Sequence, residues 1–231
     1  LSQIRPGYVR ALKTYLSVLE SRNALLRQDK LQGVSDFANQ LDAWDEQLAN
    51  AAVPIVRSRR WFLQELSENS SREYAAISEN PDEPFSLFYV GPLAQSDAPY
   101  EQMLAGLRRN REEDRRRMYT TFGPHRDDVS LQLFGRDLRA MGSQGQLRTA
   151  VLSMKLGEIR LIEKEMGESP TLLLDDVFSE LDAKRRNALF KSAAPLQTFI
   201  TCTDRQDAAG AKADCFLRVT PTPDGTVLSR E

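Results

Sequence analysis

The sequence predicts an α/β domain joined to a helical hairpin. Three observations carry that expectation. Apolar residues recur at helical spacing through residues 1–73. From Thr120 onward, short apolar strands alternate with helical stretches. The run Leu172-Leu173-Leu174 ends directly in two carboxylates, Asp175 and Asp176.

The helical part reads first. Tyr8, Leu12, Tyr15, Leu19 and Leu26 recur with polar residues between them, as on one face of a helix. Gly33 breaks the pattern. Ser35 or Asp36 is placed to cap a second helix, which carries Phe37, Leu41, Trp44 and Leu48. Pro54 is expected to interrupt that helix, with a continuation through Ile55, Arg59, Phe62 and Leu66. Two long amphipathic helices joined near Gly33 suggest an antiparallel hairpin.

Residues 78–99 change character. Asn80-Pro81, Glu83-Pro84, Gly91-Pro92 and Ala98-Pro99 are turn signals around a short strand, Phe85–Val90. A helix over 99–118 follows and ends in a dense basic run: Arg108, Arg109, Arg111, Arg115, Arg116 and Arg117, interrupted by Glu112, Glu113 and Asp114. Two readings stand for this run. It is a solvated helix face laced with i,i+4 ion pairs, or it contacts a phosphate backbone.

From Thr120 the grammar is α/β. Val129, Leu131 and Leu133 alternate with polar residues. Phe134-Gly135-Arg136-Asp137 reads as a hairpin turn leading into Leu138–Met141. A helix of about 20 residues then runs to Gly167 and Pro170. Thr171–Leu174 reads as a strand of a parallel sheet buried on both faces. A helix from Asp182 to about Ser192, strands at Thr198–Cys202 and Cys215–Thr220, and a tail complete the chain.

Composition sets limits. There are 231 residues, and 31 Lys+Arg against 33 Asp+Glu leave a net charge of −2, which excludes a globally basic nucleic-acid coat and confines any such contact to local patches. No apolar run reaches the ~18 residues of a membrane span. Cys202 and Cys215 form no metal-type pair and read as reduced thiols of a cytoplasmic protein.

The acid pair carries the chemistry. An apolar strand ending in adjacent carboxylates puts both at the C-terminal edge of a sheet, where open α/β sheets bind ligands. One acid, Asp175, is suited to hold Mg²⁺. The next, Asp176, is suited to orient or deprotonate a water attacking a phosphoryl group. This is a Walker B arrangement. Its plain alternative is Asp176 as a helix N-cap and Asp175 in a surface ion pair. Downstream, Ser179-Glu180-Leu181-Asp182 matches the D-loop of ATP-binding-cassette ATPases. Upstream, Ser143-Gln144-Gly145-Gln146 opens a long helix. Backbone N–H groups, a hydroxyl and the helix dipole together suit an anion there. The segment resembles the cassette-ATPase signature; its plain alternative is an ordinary N-cap.

Three segments together become specific: Gly123-Pro124-His125-Arg126-Asp127-Asp128, Ser143-Gln144-Gly145-Gln146 with Arg148-Thr149-Ala150, and Leu173 through Asp182 with Arg185 and Leu189 beyond. With Tyr15 and Arg22-Asn23-Ala24-Leu25-Leu26 in the first helix, the chain resembles the RecF family of bacterial DNA replication and repair proteins, relatives of the SMC-type cassette ATPases. The fold class this implies is the C-terminal part of an α/β, P-loop, cassette-type ATPase head with an all-helical hairpin subdomain. The expected domains are a helical one over 1–118, with a short strand near 85–90, and the head part over 119–231.

The resemblance implies roles residue by residue. Asp175 would be the Mg²⁺ acid and Asp176 the water-activating position. The shorter Asp, where many cassette ATPases have Glu, implies slow hydrolysis. Ser143, Gln144, Gly145 and Gln146 would act in trans on the ATP of the opposite protomer. Ser179 and Asp182 would form the D-loop. Thr203 falls at the position of a switch histidine. Arg108, Arg109, Arg115, Arg116 and Arg117, and with less weight Arg57, Arg59 and Arg60, are the DNA-facing candidates. The family further implies an ATP-dependent homodimer that binds gapped single- and double-stranded DNA. It works with RecO and RecR to load RecA in recombinational repair, replication and the SOS response. For the Gly123–Asp128 segment, an ion-pair corner competes with a nucleotide or DNA contact.

No glycine is followed by lysine, so the chain contains no Gly-x-x-x-x-Gly-Lys-Ser/Thr phosphate loop. Together with the start at Leu1 within a helical pattern, this leads to the expectation of a C-terminal part. Such a part would bind ATP poorly alone, expose sheet edges and apolar surface, and dissolve poorly. The alternatives are a non-catalytic helical scaffold with a degenerate cap, and a metal-dependent phosphotransferase or nuclease using Asp175 and Asp176.

Overall fold

The computed structural model describes residues 1–78, 82–177, 181–204, 213–222 and 225–230. The chain divides into two compact units, Leu1–Glu168 and Ser169–Glu231.

In the first unit, helix α1 (Pro6–Gln32) and helix α2 (Phe37–Ile77) pack together on either side of Gly33. Gly33 sits at φ 71°, and its N–H donates to the Asp29 carbonyl at 2.9 Å to close α1. Asp36 occupies the N-cap position of α2, but its carboxylate accepts from the Asn39 side chain and caps no backbone N–H. Pro54 does not interrupt α2, which continues through it as one helix of 41 residues. The lost N–H and the ring clash cost about 3 kcal/mol. Ala52, Ile55 and Val56 beside it are fully buried. Burying an Ile or Val side chain contributes about 1.5–3 kcal/mol each, which is enough to hold the helix together.

Strand β1 (Phe85–Val90) turns Phe85, Leu87 and Tyr89 into the core by simple alternation. Helix α3 (Pro99–Arg117) follows, with Met103 and Leu107 fully buried. One 3₁₀ turn at Pro124–Arg126 leads into strand β2 (Asp128–Leu133), which pairs antiparallel with β1, Phe85 opposite Leu133 and Val90 opposite Asp128. Strand β3 (Arg136–Asp137) folds back on β2 through Phe134 and Gly135, both at positive φ as a tight two-residue hairpin requires. Leu138–Met141, expected to extend that hairpin, is instead a short helix, α4. The Asp137 carboxylate caps it by accepting from the Ala140 N–H at 3.0 Å, and the turn places Leu138 in the core.

Helix α5 (Gln144–Met166) ends at Gly167, φ 72°. It lies against α2 so closely that a Cβ at Gly157 would come within 2.6 Å of the Ser70 Oγ and 2.8 Å of its backbone nitrogen. Tyr15, Leu48, Ile55, Tyr74, Phe85, Met103, Leu131 and Ala150 form one continuous core. Residues on both sides of the expected 118/119 boundary share that core, and the compact division falls at 168/169 instead.

The second unit is a βαβ arrangement followed by a hairpin. Strand β4 (Leu172–Asp175), helix α6 (Ala183–Ala193) and strand β5 (Thr198–Thr201) place β4 and β5 parallel, with Leu172 opposite Thr198 and Asp175 opposite Thr201. Leu172 and Leu174 are buried, whereas Leu173 is 72% and Phe199 56% exposed. The apolar run is therefore covered on one face, not on both as expected. Strands β6 (Leu217–Thr222) and β7 (Gly225–Arg230) pair antiparallel. The expected strand thus starts at Leu217 rather than Cys215, and the tail is its partner. Among the described residues, no helix is long and apolar enough to cross a membrane.

Candidate functional site

The acid pair lies at the C-terminal edge of β4, as the sequence order requires. Asp175 is the last residue of the strand, and its carboxylate accepts from the Thr201 hydroxyl at the end of β5. Asp176 turns the chain with φ 47°, a left-handed conformation that aspartate tolerates better than most residues. Its N–H donates to the same Thr201 oxygen at 3.1 Å. One hydroxyl thus fixes both the side chain of the first acid and the backbone of the second. Both carboxylates are exposed.

Asp182 caps α6, its carboxylate accepting from the Arg185 N–H at 2.8 Å and pairing with the Arg185 guanidinium. Ser179 lies outside the described residues. Thr203 is exposed just past the end of β5.

In the first unit, Ser143 and Gln146 form a complete capping box at the start of α5. The Ser143 hydroxyl accepts from the Gln146 N–H at 3.2 Å, and the Gln146 side-chain oxygen accepts from the Ser143 N–H at 3.0 Å. The serine hydroxyl accepts in this pair, so its own proton remains available to an anion. Gln144 and Gly145 occupy the first turn, with Ser143 and Gln144 exposed. The Gln146 amide also donates to Glu83 at 3.4 Å, and the Tyr74 hydroxyl donates to the other Glu83 oxygen at 3.1 Å. Helix α2 thereby touches the signature end of α5 through one carboxylate.

The Gly123–Asp128 segment forms an ion-pair corner. Arg59 donates to the Pro124 carbonyl and pairs with Asp127 at 2.9 Å, and the Tyr89 hydroxyl donates to the same carboxylate. Burial pushes the Asp127 carboxyl above its ordinary range. The Tyr15 hydroxyl donates to His125 Nδ1 at 2.6 Å, which leaves Nε2 to donate to the Thr120 carbonyl at 2.9 Å. Burial raises the Tyr15 phenol and depresses the His125 imidazole, so both are neutral at pH 7. Gly123, at φ 135°, leaves no room for a side chain: a Cβ there would sit 2.7 Å from both the Tyr15 hydroxyl and the Met103 methyl.

The arginines of α3 are largely ion-paired. Arg111 pairs with Asp42 and Asp45, Arg115 with Asp29 at 2.6 Å, and Arg116 and Arg117 both with Glu113. Arg108 stands 4.0 Å from Asp42, and Arg109 is exposed with no ion pair among the described residues. Arg59 and Arg60, weighed with them for DNA contact, are spent on internal partners. Arg60 donates to the carbonyls of Leu93, Ala94 and Ser96. Beneath α3, the fully buried Arg22 pairs with Asp45 at 2.7 Å and Asp114 at 2.8 Å and donates to Thr120.

A parallel βαβ edge ending in paired acids, a helix opening at the Ser143 cap and a helical hairpin define the class: an α/β fold of the cassette-ATPase type with a helical subdomain. Relatives sharpen it. The chain is 43% identical over 209 residues to the DNA replication and repair protein RecF of Herpetosiphon aurantiacus, covering 90% of this chain and 54% of that one. It is 39% identical over 236 residues to RecF of Symbiobacterium thermophilum, covering 99% and 61%. A solved structure of the recombination mediator protein RecF with ATP, in the RecFOR pathway, superposes with a TM-score of 0.84 at 32% identity. That match covers 100% of this chain and 60% of that one. The chain belongs to the RecF family along the stretch that it spans, which is about half the length of the curated relatives it matches. No protein-family model matches it.

Two residues of these sites were not singled out in the sequence. Thr201 is legible only once β5 is known to lie beside β4 in register. Glu83 sits in a turn, and no pattern marks its distant partner Gln146.

Proposed function

We propose that the chain is part of a RecF-type, ATP-dependent DNA-binding protein of recombinational repair and replication. The observation that carries this reading is the Asp175–Asp176 pair at the end of β4, pinned by Thr201. In it, Asp175 would hold Mg²⁺ and Asp176 would orient the attacking water. The donor set suits that ion, because Mg²⁺ takes one or two carboxylates plus substrate phosphates rather than a closed protein cage. Among the described residues, no group of three or more acidic, His or Cys side chains could hold a metal by itself. The ion, when bound with ATP, neutralises phosphate charge. The residues themselves position and deprotonate.

Ser143, Gln144, Gly145 and Gln146 cap the γ-phosphate of ATP bound by the opposite protomer. Ser179 and Asp182 couple the two sites across an ATP-dependent homodimer, and Thr203 takes the switch position. Arg108, Arg109, Arg115, Arg116 and Arg117 face DNA, single-stranded and gapped. RecO and RecR are the partners, RecA loading and SOS induction the outcome, and the cytoplasm the place. The relatives' names and the RecF–ATP structure support this assignment.

The test is binding of a gapped DNA duplex by the chain across a salt series. Affinity should fall linearly with the logarithm of salt concentration. Absence of binding at low salt would overturn the DNA assignment and leave a protein-binding scaffold.

A further inference from the structure

The C-terminal turn of α3 and the segment after it enclose an open cleft of about 350 Å³, lined by Asn110, Glu113, Arg117, Tyr119, Thr121 and Arg126. Its lining is net positive by one charge: Arg117 and Arg126 stand against Glu113, which pairs with Arg117 in the cleft and with Arg116 outside its lining. Arg126 is exposed and has no ion pair among the described residues. Its guanidinium lies 5.0 Å over the Tyr119 ring. Arg117 donates to the Tyr119 hydroxyl at 3.1 Å from the other side. Hydrogen bonding from Arg117 lowers the pKa of the Tyr119 phenol, with both guanidiniums adding to the effect. Two cations thus meet at one phenol, with an excess of one positive charge over Glu113 in the lining.

The site is also built rather than loose. Thr121 of the lining and the residues between its members, Thr120 and His125, are tied down. Thr120 accepts from Arg22 at 2.8 Å and donates its N–H to Asn23 at 2.8 Å. Thr121 donates both its N–H and its hydroxyl to the buried Asp114. His125 is held at both ring nitrogens. The backbone on either side of Tyr119 and Arg126 is therefore held before any ligand arrives, which lowers the ordering cost of binding. The neighbouring cleft, lined by Asp29, Lys30, Glu112, Arg115 and Arg116, carries the same excess of one positive charge, but Asp29 holds its Arg115 and no aromatic ring lines it.

We propose that Arg117, Tyr119 and Arg126 form a phosphodiester subsite that grips one backbone phosphate of DNA between the two guanidiniums. The proposal rests on the DNA-binding reading above and adds to it a place and two residues, Tyr119 and Arg126. A phosphate anion could also come from free nucleotide or inorganic phosphate. DNA is favoured because Arg117 ends a helix that also carries Arg108, Arg109 and Arg116, which a polymer of phosphates can use in series and a single nucleotide cannot.

The experiment measures binding of a fluorescent gapped duplex by the chain over a salt series, for the wild type and for Arg126→Gln, Arg126→Lys, Tyr119→Phe and Arg109→Gln. Arg126→Gln should weaken binding about tenfold and reduce the salt slope by about one. Arg126→Lys should retain the slope and lose only part of the affinity, since lysine keeps the charge but not the planar fork. Tyr119→Phe should weaken binding less than Arg126→Gln. If Arg126→Gln matches the wild type in affinity and slope while Arg109→Gln does not, the subsite is overturned and DNA binding stands. If the wild type binds no DNA, both fall. If micromolar ATP or inorganic phosphate displaces DNA from the wild type but not from Arg126→Gln, the ligand is a free phosphate compound and the DNA source is overturned.

Discussion

Arg22 of α1 and Asp45 of α2 meet at 2.7 Å with both side chains fully buried. Asp114 of α3 completes the cluster from the other side of the same guanidinium. Three helices therefore converge on one charge. Removing it leaves the buried Asp114 with only the neutral donors of Thr121 and Asp45 with Arg111 alone, and deleting one partner of a buried pair costs about 3–5 kcal/mol. Arg22→Met should lower the urea midpoint by a corresponding amount. A variant that also carries Asp45→Asn and Asp114→Asn should recover part of it. An unchanged midpoint in Arg22→Met would show that the cluster does not hold the helices together.

Gly157 marks the closest approach of α5 to α2, and Ser70 leaves no space for a methyl group. Gly157→Ala should destabilise the first unit by about 1–3 kcal/mol through overpacking, despite alanine's better helix propensity. Thermal melting is the measurement. A melting temperature at or above the wild type's would contradict the observed packing.

The only histidine of the chain makes a clean pH probe. Burial holds the folded His125 below its ordinary pKa, so the unfolded chain binds the proton more readily than the folded one. Stability is full above about pH 6.5 and declines as pH drops below that value, until the folded imidazole itself titrates. His125→Gln should flatten the stability profile between about pH 7 and 5. Asp127, whose carboxyl is raised by burial, works in the opposite sense. It favours the fold below about pH 4 and loses that contribution as pH rises through its folded value, so Asp127→Asn separates the two. A His125→Gln profile as steep as the wild type's would assign the titration to another group.

Glu113 holds Arg116 and Arg117, and those bonds keep its carboxyl below the usual range. If the α3 arginines face phosphate, Glu113→Gln should tighten DNA binding several-fold and leave stability nearly unchanged, since solvent screens exposed pairs of this kind. Arg109→Glu should weaken binding more than Arg115→Glu, because Arg115 is already committed to Asp29. Equal binding by wild type and Glu113→Gln would separate this face of α3 from DNA.

Much of this molecule was legible in the sequence because its signals are local. Helical spacing marks α1 and α2, Ser143 and Gln146 mark the start of α5, and an apolar run followed by acids marks the edge of β4. What was not legible depends on residues distant in the chain. Proline's helix-breaking tendency at Pro54 is outweighed by burial of Ala52, Ile55 and Val56. The arginine run reads as i,i+4 pairs within its own helix or as a phosphate contact, and nothing local shows that Arg111 and Arg115 pair instead with Asp29, Asp42 and Asp45 on other helices. Thr201 enters the acid site only through the register of two parallel strands.

The unbroken course of α2 has a mechanical side. At 1.5 Å per residue its 41 residues make a rod about 60 Å long. Its ladder lacks one rung, the bond that Pro54 cannot donate to the carbonyl of Asn50. A rod bends most easily at its weakest rung, yet here that rung is clamped by Ala52, Ile55 and Val56, none of them exposed. The two ends of the helix, Phe37 and Ile77, therefore belong to one element whose single missing rung is shielded from water.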